Sequence, residues 1–361
     1  MAAAKKKIKA YAQVGVDIDL ADRMKGGLKE SLKSASRPEV LGAVGGFGGL
    51  FDLSKLKYKE PVLVSSIDGV GTKLNIAFES GKHTSVGVDI VNHCIDDISV
   101  IGAEPLFFLD YLGLGKLEPK VFKQILSGIS KACASANCAL IGGETAQLPG
   151  LYSKGEYDIA GVIIGIAEKK KMLSGSTIKP GDVVIGLPSS GLHTNGFTLA
   201  RKVLFETAKF TLKDKIPGTR QSLEKALMEP HRNYAPLLQP LLAKFNTGRS
   251  SKFRKGNAVF GIAHITGGGF TGNIPRILPE KVDVVIDTNA WKPLPIFKLI
   301  EERGRIDFDE MYEVFNMGIG MTLVVDPDQA DAILAFSAAN GCKAVRIGKA
   351  VKGKGVVKLE R

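Results

Sequence analysis

The chain of 361 residues lacks the long hydrophobic runs of a membrane protein. No apolar stretch approaches the roughly 20 residues that a membrane-spanning helix needs. Residues 1–10 hold a short lysine cluster with no apolar stretch behind it, which is unlike a secretory signal. We therefore expect a cytoplasmic protein with no membrane partner.

Cysteine and histidine are scarce, with 4 and 5 residues, and neither type shows a short paired spacing. Cys94, Cys133 and Cys138 lie among apolar neighbours, as small buried side chains do, and Cys342 stands apart. The histidines form no HExxH pair. These spacings predict no dedicated transition-metal site.

Acidic residues are outnumbered, since 37 Asp and Glu stand against 49 Lys and Arg and the formal net charge is +12. Such an excess suits a nucleic-acid-binding module, but it also suits an enzyme with anionic substrates. Part of it lies in two plain runs, Lys5–Lys7 and Lys169–Lys171, with no aromatic residues interleaved. The pattern favours the enzyme, whereas salt-dependent binding to DNA or RNA would favour the alternative.

The commonest nucleotide-binding and hydrolase motifs are missing as well. No GxxxxGK[ST] sequence is present, which excludes a P-loop. The tract Gly45–Gly49 lacks the third glycine of a GxGxxG motif and no strand leads into it, so a Rossmann site is poorly supported. The chain also has no GxSxG elbow of the α/β hydrolases. A nucleotide site in this chain must therefore be of another kind.

Strands and helices alternate along the chain, over more residues than one hydrophobic core usually organises. Short apolar runs predict strands at 61–67, 105–112, 139–141, 158–167, 183–187, 259–264, 282–287, 321–325, 344–347 and 356–359. Helical spacing is found at 89–102 and 119–136. The pattern predicts an α/β or α+β fold. We expect three parts, with two domains meeting near residue 175: a glycine-rich segment at 1–60, a first domain at 61–170 and a second at 176–361.

A polar loop, Asp68-Gly69-Val70-Gly71-Thr72-Lys73, follows the first predicted strand. A carboxylate, bare glycine backbone and an ammonium suit a metal-bound polyphosphate. Asp68 would hold Mg²⁺, while backbone N–H groups and Lys73 would meet phosphate oxygens. A plain turn in which Asp68 caps the next helix explains the same residues.

The helix predicted at 89–102 has an apolar face that should pack on the core, formed by Ile90, Cys94, Ile98 and Ile101. Asp89, His93 and Asp96 fall on the other side, where a solvated face is the simplest interpretation. Asp97 lies at the edge of the apolar stripe, where a carboxylate is costly to desolvate unless a cation or hydrogen-bond donors meet it. A metal role is favoured for Asp97, and a buried salt bridge would also serve.

Three further glycine-rich loops follow predicted strands, at 141–145, 188–196 and 264–270. The first contains a carboxylate, Glu144. The second offers small polar groups that suit a phosphate at a helix N-terminus. The third has three consecutive glycines, as close approach of a ligand to the backbone requires, although a tight turn needs glycine too. Together with Asp68 and Asp97, these loops predict one site built from both domains.

Taken together, these motifs resemble the phosphoribosylformylglycinamidine cyclo-ligase family, also called the aminoimidazole ribonucleotide synthetases. The combination is specific, because the wider superfamily shares only the acidic strand-end loops. The similarity runs nearly from end to end and is carried by Gly15–Ile18, Gly45–Gly48, Asp68–Lys73, Gly102–Tyr111, Gly142–Ala146, Ser189–Gly191, His193, Asn195–Gly196, His264–Phe270 and Phe315–Met321.

The resemblance implies a two-domain α/β fold and a homodimer whose N-terminal domains join their mixed sheets into a barrel. It also implies a purine-biosynthetic enzyme that uses ATP and Mg²⁺. Formylglycinamidine ribonucleotide and ATP would give aminoimidazole ribonucleotide, ADP and phosphate. The formyl oxygen would be phosphorylated, and the amidine nitrogen would then attack the activated carbon.

The resemblance assigns roles to residues by their position in the motifs. The implied metal ligands are Asp68, Asp97 and Glu144. The implied catalytic or phosphate-contacting side chains are Lys73, His193 and His264. The implied ATP and phosphate site comprises Gly45, Gly46, Phe47, Gly48, Asp68, Gly69, Gly71, Thr72, Gly142, Gly143 and Glu144, of which the segment 45–48 resembles a flap over the nucleotide. The implied substrate site comprises Ser190, Gly191, His193, Asn195, Gly267 and Gly268.

The chain departs from the usual residues of the family at four positions. Asp96 replaces Asn, Ile101 replaces Gln, His231 replaces Thr and Gly272 replaces Glu. The departures concern the surroundings of the metal more than the activity, because Asp97 is kept. The nearest alternative is another ATP-using enzyme of the superfamily, such as a thiamine monophosphate kinase. A selenophosphate synthetase would need a reactive cysteine in its N-terminal segment, and residues 1–93 contain none.

Overall fold

The computed structural model describes residues 9–26, 34–42, 46–248 and 254–361. The strands in this part of the chain are β1 (Val40–Leu41), β2 (Leu50–Phe51), β3 (Pro61–Gly69), β4 (Glu104–Leu114), β5 (Ala139–Gln147), β6 (Tyr157–Glu168), β7 (Val183–Pro188), β8 (Val259–His264), β9 (Val282–Asp287), β10 (Ile319–Val325), β11 (Val345–Lys352) and β12 (Val357–Glu360). The α-helices are Ala10–Gln13, Ile18–Gly26, Leu74–Ser80, Thr84–Ser99, Pro119–Ser135, Phe197–Arg201, Leu223–Leu227, Ala235–Phe245, Gly269–Asn273, Pro295–Gly304, Phe308–Val314 and Ala330–Ala339. Among these helices, none combines the length and the hydropathy needed to cross a bilayer.

The first sheet has four strands in the order β3-β6-β4-β5, with β4 and β5 parallel and the other neighbours antiparallel. The helices Thr84–Ser99 and Pro119–Ser135 cover one face of this sheet. They pack closely because glycine lies at their crossing: a Cβ at Gly87 would collide with the carbonyl group of Ile125, and one at Gly128 with that of Thr84. Larger residues at the crossing would push the helices apart.

The opposite face of the first sheet, called the open face below, is apolar yet only partly covered. Strand pairing places its side chains on one side of the sheet, since Val162 of β6 pairs with Ile67 of β3 and with Leu109 of β4. Ile67 is 69% exposed and Leu63 is 56% exposed. The open face consists of Leu63, Ile67, Phe107, Leu109, Tyr111, Val162 and Ile164, all exposed or half-buried. Such a patch on a folded chain usually marks an interface.

The second sheet has six strands in the order β12-β9-β11-β7-β10-β8, and only its edge pair β12–β9 is parallel among the described strands. Its central strands β7 and β10 are buried along nearly their whole length. This explains why both segments are continuous apolar runs in the sequence.

The mixed α/β fold expected from the sequence is confirmed, and every strand predicted beyond residue 60 is present. Three elements extend well beyond their predicted limits. The helix predicted from Asp89 begins at Thr84, β5 continues from Ile141 to Gln147, and β11 continues from Ile347 to Lys352. The glycines at 142 and 143 suggested a loop, but pairing with β4 carries the strand through them. The first sheet uses residues 61–168 and the second 183–360, and we keep the domain limits 1–60, 61–170 and 176–361 as a proposal.

Candidate active site

The helix Thr84–Ser99 joins the two halves of the chain through a buried polar face. Asp89 and Asp96 are both fully buried, and His93 is 4% exposed. The prediction of a solvated face for these three residues is wrong, because the segment 229–235 of the second half packs over them. The apolar face is confirmed by Ile90, Cys94 and Ile98, which are buried, whereas Ile101 lies beyond the helix and is half-buried.

Lys73 forms an ion pair with Asp89 at the centre of this contact, with Nζ 2.8 Å from Oδ2 and 3.0 Å from Oδ1. The same ammonium group donates to the carbonyl oxygens of Glu229, at 2.8 Å, and His193, at 3.4 Å. Both charged side chains are fully buried. Sequence reasoning placed Lys73 on a phosphate, but its donors are engaged inside the protein. Lys73 therefore ties the first half of the chain to the second.

Two carboxylates of the helix also hold the backbone of the second half. Asp89 Oδ1 accepts a hydrogen bond from the N–H group of His231 at 2.7 Å, and Asp96 Oδ1 accepts one from Tyr234 at 2.8 Å. Asp96 Oδ2 lies 3.3 Å from His231 Nε2. Two of the four departures from the family pattern, at 96 and 231, are thus in contact. Burial raises the pKa of Asp96 well above its ordinary value.

Four of the five histidines meet at this junction, and we call them the histidine cluster: His93, His193, His231 and His264. His193 and His231 stack with ring centroids 4.0 Å apart, and the Nε2 atoms of His231 and His264 are 3.1 Å apart. His93 Nδ1 lies 2.6 Å from Thr194 Oγ1, which is 3.4 Å from His231 Nδ1. Burial lowers the pKa of His193 and His231 well below the ordinary value, so both rings are neutral.

Asp68 and Asp97 lie at the accessible edge of the histidine cluster. Asp68 Oδ2 is 2.9 Å from His93 Nε2, and Asp97 Oδ1 is 2.9 Å from His264 Nδ1. The two carboxylate side chains are 38% and 28% exposed, whereas the imidazoles are buried. The helix-cap reading of Asp68 does not fit, since its carboxylate accepts from the adjacent Gly69 N–H and contacts His93.

The charges of these groups follow from burial and from their partners. Burial raises the pKa of Asp68, but its hydrogen bond to His93 and the charge of that ring leave the pKa below the ordinary value. Burial lowers the pKa of His93, and Asp68 more than compensates, so it ends above the ordinary value. For Asp97, the hydrogen bond from His264 overcomes burial and lowers the pKa, while burial keeps that of His264 low. Two ionised carboxylates therefore border solvent.

Loops from the second half carry or contact the histidines that hold these carboxylates. In the loop after β7, Ser190 N–H donates to His193 Nε2 at 3.2 Å, and the Ser190 hydroxyl donates to the Pro230 carbonyl at 2.6 Å. In the loop after β8, a Cβ at Gly267 would lie 3.2 Å from Asn195 Oδ1, so the two loops touch. Gly268 has φ of +91°, a value that favours glycine.

Other predicted substrate and nucleotide residues lie near the same junction of the two halves. The Thr72 and Thr198 hydroxyl oxygens are 2.9 Å apart and join the two halves at the surface. Gly71 and Thr72 are exposed, Gly69 is half-buried, and Gly191 is buried beneath its loop. The structure thus brings together the predicted residues at 68–73, 97, 190–195 and 264–268.

Glu144 does not join this group within one chain. Tyr111 of β4 pairs with Glu144 of β5. The preceding residue, Asp110, pairs with Gly143 of β5 and with Gly161 of β6, and Gly161 pairs with Asp68 of β3. Because side chains alternate along strands, Glu144 points to the open face while Asp68 points to the other. Three strand spacings, about 14 Å, separate the two backbones as well. One metal cannot contact Asp68, Asp97 and Glu144 of the same chain. Gly142 and Gly143 lie in β5 beside Glu144, three strands away from Asp68.

The predicted flap is described only in part. Gly45 lies outside the described residues, whereas Gly46, Phe47 and Gly48 are all exposed. The Phe47 ring does not pack against the core, since the residue is fully exposed. The role of the segment 45–48 over a nucleotide stays a prediction.

The arrangement offers the groups that a metal-bound phosphate compound needs. Two ionised carboxylates can hold a divalent cation, and exposed glycine loops can present backbone N–H groups to phosphate oxygens. Sequence reasoning missed His93, His231 and Thr194. The available signal was that Asp96 and His231, which contact each other, both depart from the usual residues of the family.

Two domain families match the chain. The family described as "AIR synthase related protein, N-terminal domain" matches residues 53–167, and the corresponding C-terminal domain family matches 179–360. The chain is 47% identical over 349 residues to the phosphoribosylformylglycinamidine cyclo-ligase of Geobacillus thermodenitrificans, covering 97% of both chains. It is 48% identical over 348 residues to the protein of that name from Bacillus cytotoxicus, covering 96% of both.

Solved structures with a similar fold have much lower sequence identity. Thiamine-monophosphate kinase from Stenotrophomonas maltophilia matches with a TM-score of 0.65 at 16% identity, covering 96% of both chains. The hydrogenase maturation protein HypE in complex with ATP matches with a TM-score of 0.65 at 16% identity, covering 96% of this chain and 93% of that one. At such identity the likeness concerns the fold alone.

Proposed function

The chain belongs to the phosphoribosylformylglycinamidine cyclo-ligase family, and we propose that it closes the imidazole ring of aminoimidazole ribonucleotide at the junction of its two halves. It is an ATP-dependent ligase of purine biosynthesis, which converts formylglycinamidine ribonucleotide and ATP into aminoimidazole ribonucleotide, ADP and phosphate. The observation that carries the proposal is 47% identity over 97% of both chains. A cytoplasmic location remains our expectation.

Asp68 and Asp97 suit the Mg²⁺ that accompanies ATP. Their carboxylates are ionised and half-exposed, and oxygen ligands are those that Mg²⁺ prefers. Mg²⁺, when bound, supplies neutralisation of the polyphosphate charge. His93 and His264 hold the two carboxylates in place through their 2.9 Å contacts. We propose these two aspartates, without Glu144 of the same chain, as the protein ligands.

The glycine loops suit the phosphates of the ligands. Gly69, Gly71 and Thr72 would meet ATP, and the loops with Ser190, Asn195 and Gly267 would meet the phosphoribosyl substrate. Ring closure is intramolecular, so holding the amidine nitrogen near the activated carbon can supply much of the rate. We assign His193 and Lys73 as positioning residues, because both are buried and bonded to the loops that they support.

The direct test is incubation of the purified protein with Mg²⁺, ATP and formylglycinamidine ribonucleotide. We expect one ADP and one aminoimidazole ribonucleotide per turnover, measured by a coupled ADP assay and by chromatography of the product. Omission of the ribonucleotide is the control and should reduce ADP release to background. If thiamine monophosphate drives ADP release and formylglycinamidine ribonucleotide does not, the superfamily alternative replaces this proposal.

The open face supports a homodimer. Its apolar side chains belong to three neighbouring strands and form a continuous surface. A second copy of the same face would bury them, as in sheet-on-sheet packing. Glu144 and Tyr111 also point to this side. We propose that two chains pack through their open faces.

Ile67→Lys tests the homodimer at its most exposed apolar position. A buried lysine from each chain should raise the dissociation constant of the dimer by at least about 100-fold, because desolvating an unpaired ammonium costs several kcal/mol. Sedimentation velocity over a concentration series measures the change. Val356→Lys is the matched control, since Val356 is 45% exposed but lies in the second half. A wild-type chain that is monomeric at micromolar concentration would contradict the dimer.

A further inference from the structure

We propose that this chain holds a divalent transition metal such as Zn²⁺ or Co²⁺ between two imidazoles and two carboxylates: His93, His264, Asp68 and Asp97. Ligand atoms of His93, Asp97 and His264 all lie within 4.8 Å of one another. Asp68 joins them through its Oδ2 atom, 2.9 Å from His93 Nε2. Histidine spacing in the sequence gave no hint of this site, because the ligands come from both halves of the chain.

Two of the distances between the proposed ligand atoms are close to those of a filled site. Zn²⁺–nitrogen and Zn²⁺–oxygen bonds of about 2.0–2.2 Å place tetrahedral ligands about 3.3 Å apart. The His93–Asp68 and His264–Asp97 pairs are each 2.9 Å apart. Among His93, Asp97 and His264, no two ligand atoms are more than 4.8 Å apart, so these separations need to shrink by at most about 1.5 Å. The exposed edges of the two carboxylates provide the route of entry.

Each of the four groups is fixed by a partner on its other polar atom. His93 Nδ1 lies 2.6 Å from Thr194 Oγ1, and His264 Nε2 lies 3.1 Å from His231 Nε2. The carboxylates are held in the same way. Asp97 Oδ2 accepts from the Ser66 hydroxyl at 3.0 Å, and Asp68 Oδ1 accepts from the Gly69 N–H group at 2.7 Å. Such outer hydrogen bonds orient the ligands of protein metal sites and tune their affinity.

The ligand set determines which ion fits. Two carboxylates offset the double positive charge, and imidazole nitrogen suits Zn²⁺ and Co²⁺ but not Mg²⁺, which prefers oxygen. Without the metal, His93 Nε2 and His264 Nδ1 donate to Asp68 and Asp97; to bind the metal they must present lone pairs, so each ring then carries its proton on the opposite nitrogen. Thr194 Oγ1 and His231 Nε2 are both able to accept from those N–H groups.

The proposed site shares Asp68 and Asp97 with the Mg²⁺–nucleotide site proposed above, and only the imidazoles distinguish the two ions. Substitution of the histidines is therefore the informative change. Loss of one imidazole should weaken Zn²⁺ while leaving two carboxylates for Mg²⁺.

The experiment is titration of chelator-treated protein with Zn²⁺ by calorimetry and with Co²⁺ by visible absorption. We expect one ion per chain, and at least about 100-fold weaker Zn²⁺ binding in His93→Gln and His264→Gln, since even outer partners are worth about 10- to 100-fold. Ser66→Ala, which removes one outer partner only, should weaken Zn²⁺ binding by about 10- to 100-fold. His83→Gln is the matched control, because His83 contacts Tyr157 outside the cluster.

Two results would overturn the inference. One is the absence of stoichiometric Zn²⁺ and Co²⁺ binding to the wild type. The other is wild-type affinity in a folded His93→Gln or Ser66→Ala protein, with circular dichroism as the check on folding. Cyclo-ligase activity with Mg²⁺ alone is measured in parallel. Activity without Zn²⁺ binding overturns this inference and supports the proposed function. Zn²⁺ binding without activity supports this inference and overturns the proposed function.

Discussion

Asp97→Asn should lower kcat/KM for ATP by at least about 100-fold while the fold stays intact, since even the outer partners of a metal ligand are worth about 10- to 100-fold. The amide keeps the shape of the carboxylate: its oxygen can accept from His264 and its NH₂ group can donate to the Ser66 hydroxyl, the two partners that now contact Asp97 at 2.9 and 3.0 Å. It loses the negative charge that a divalent cation needs. Steady-state kinetics at saturating Mg²⁺ and calorimetric titration with ATP measure the effect.

Asp331→Asn is the matched control for this experiment. Asp331 is 88% exposed and pairs with Arg346 on the surface of the second half. Its substitution should change neither kcat/KM nor the unfolding midpoint. If Asp97→Asn keeps its ATP affinity, or if it mainly lowers the free energy of unfolding, then Asp97 serves the structure and the metal assignment fails.

Lys73→Met should lower the free energy of unfolding by about 3–5 kcal/mol, the usual cost of removing one partner from a buried ion pair. Asp89 would remain fully buried, without the ammonium that lies 2.8 Å from it. Methionine fills a similar volume, so lost packing contributes little. Urea denaturation followed by circular dichroism gives the change, and the double variant with Asp89→Asn completes a mutant cycle that isolates the coupling.

Lys82→Met is the comparison for Lys73→Met. Lys82 also connects the two halves, through a 2.9 Å contact with Glu224, but its side chain is 64% exposed. Surface pairs of this kind are usually worth less than about 1 kcal/mol. A Lys73→Met protein with wild-type stability and much weaker ATP binding would instead restore Lys73 as a phosphate contact.

The strands and the polar loops that follow them could be predicted from the sequence because both leave local signals. Apolar runs such as 183–187 and 259–264 are continuous because these strands are buried on both faces. Asp68 was singled out because it follows the short apolar run at 61–67. Nothing in the local sequence indicated that Asp89, His93 and Asp96 are buried. A polar helix face that is covered by a distant segment has the same sequence pattern as a solvated face.

Two errors show why distance along the chain limits such predictions. The histidine cluster is assembled from positions 93, 193, 231 and 264, so no short spacing reveals it. Glu144 was grouped with Asp68 because both follow apolar runs next to glycine. Strand β5 continues through those glycines, and the alternation of side chains then turns Glu144 to the opposite face.

The contacts of Asp89 and Asp96 with the second half also bear on how the protein forms during its synthesis. Their backbone partners, His231 and Tyr234, come 142 and 138 residues later in the chain. At about 5–20 residues per second, a ribosome needs roughly 7 to 28 s to supply them. During that interval the first half has two carboxylates and the ammonium of Lys73 facing water at the place that will become its innermost contact. We expect these charged groups to stay hydrated, so that this surface of the nascent first half does not promote aggregation before the second half emerges and covers it.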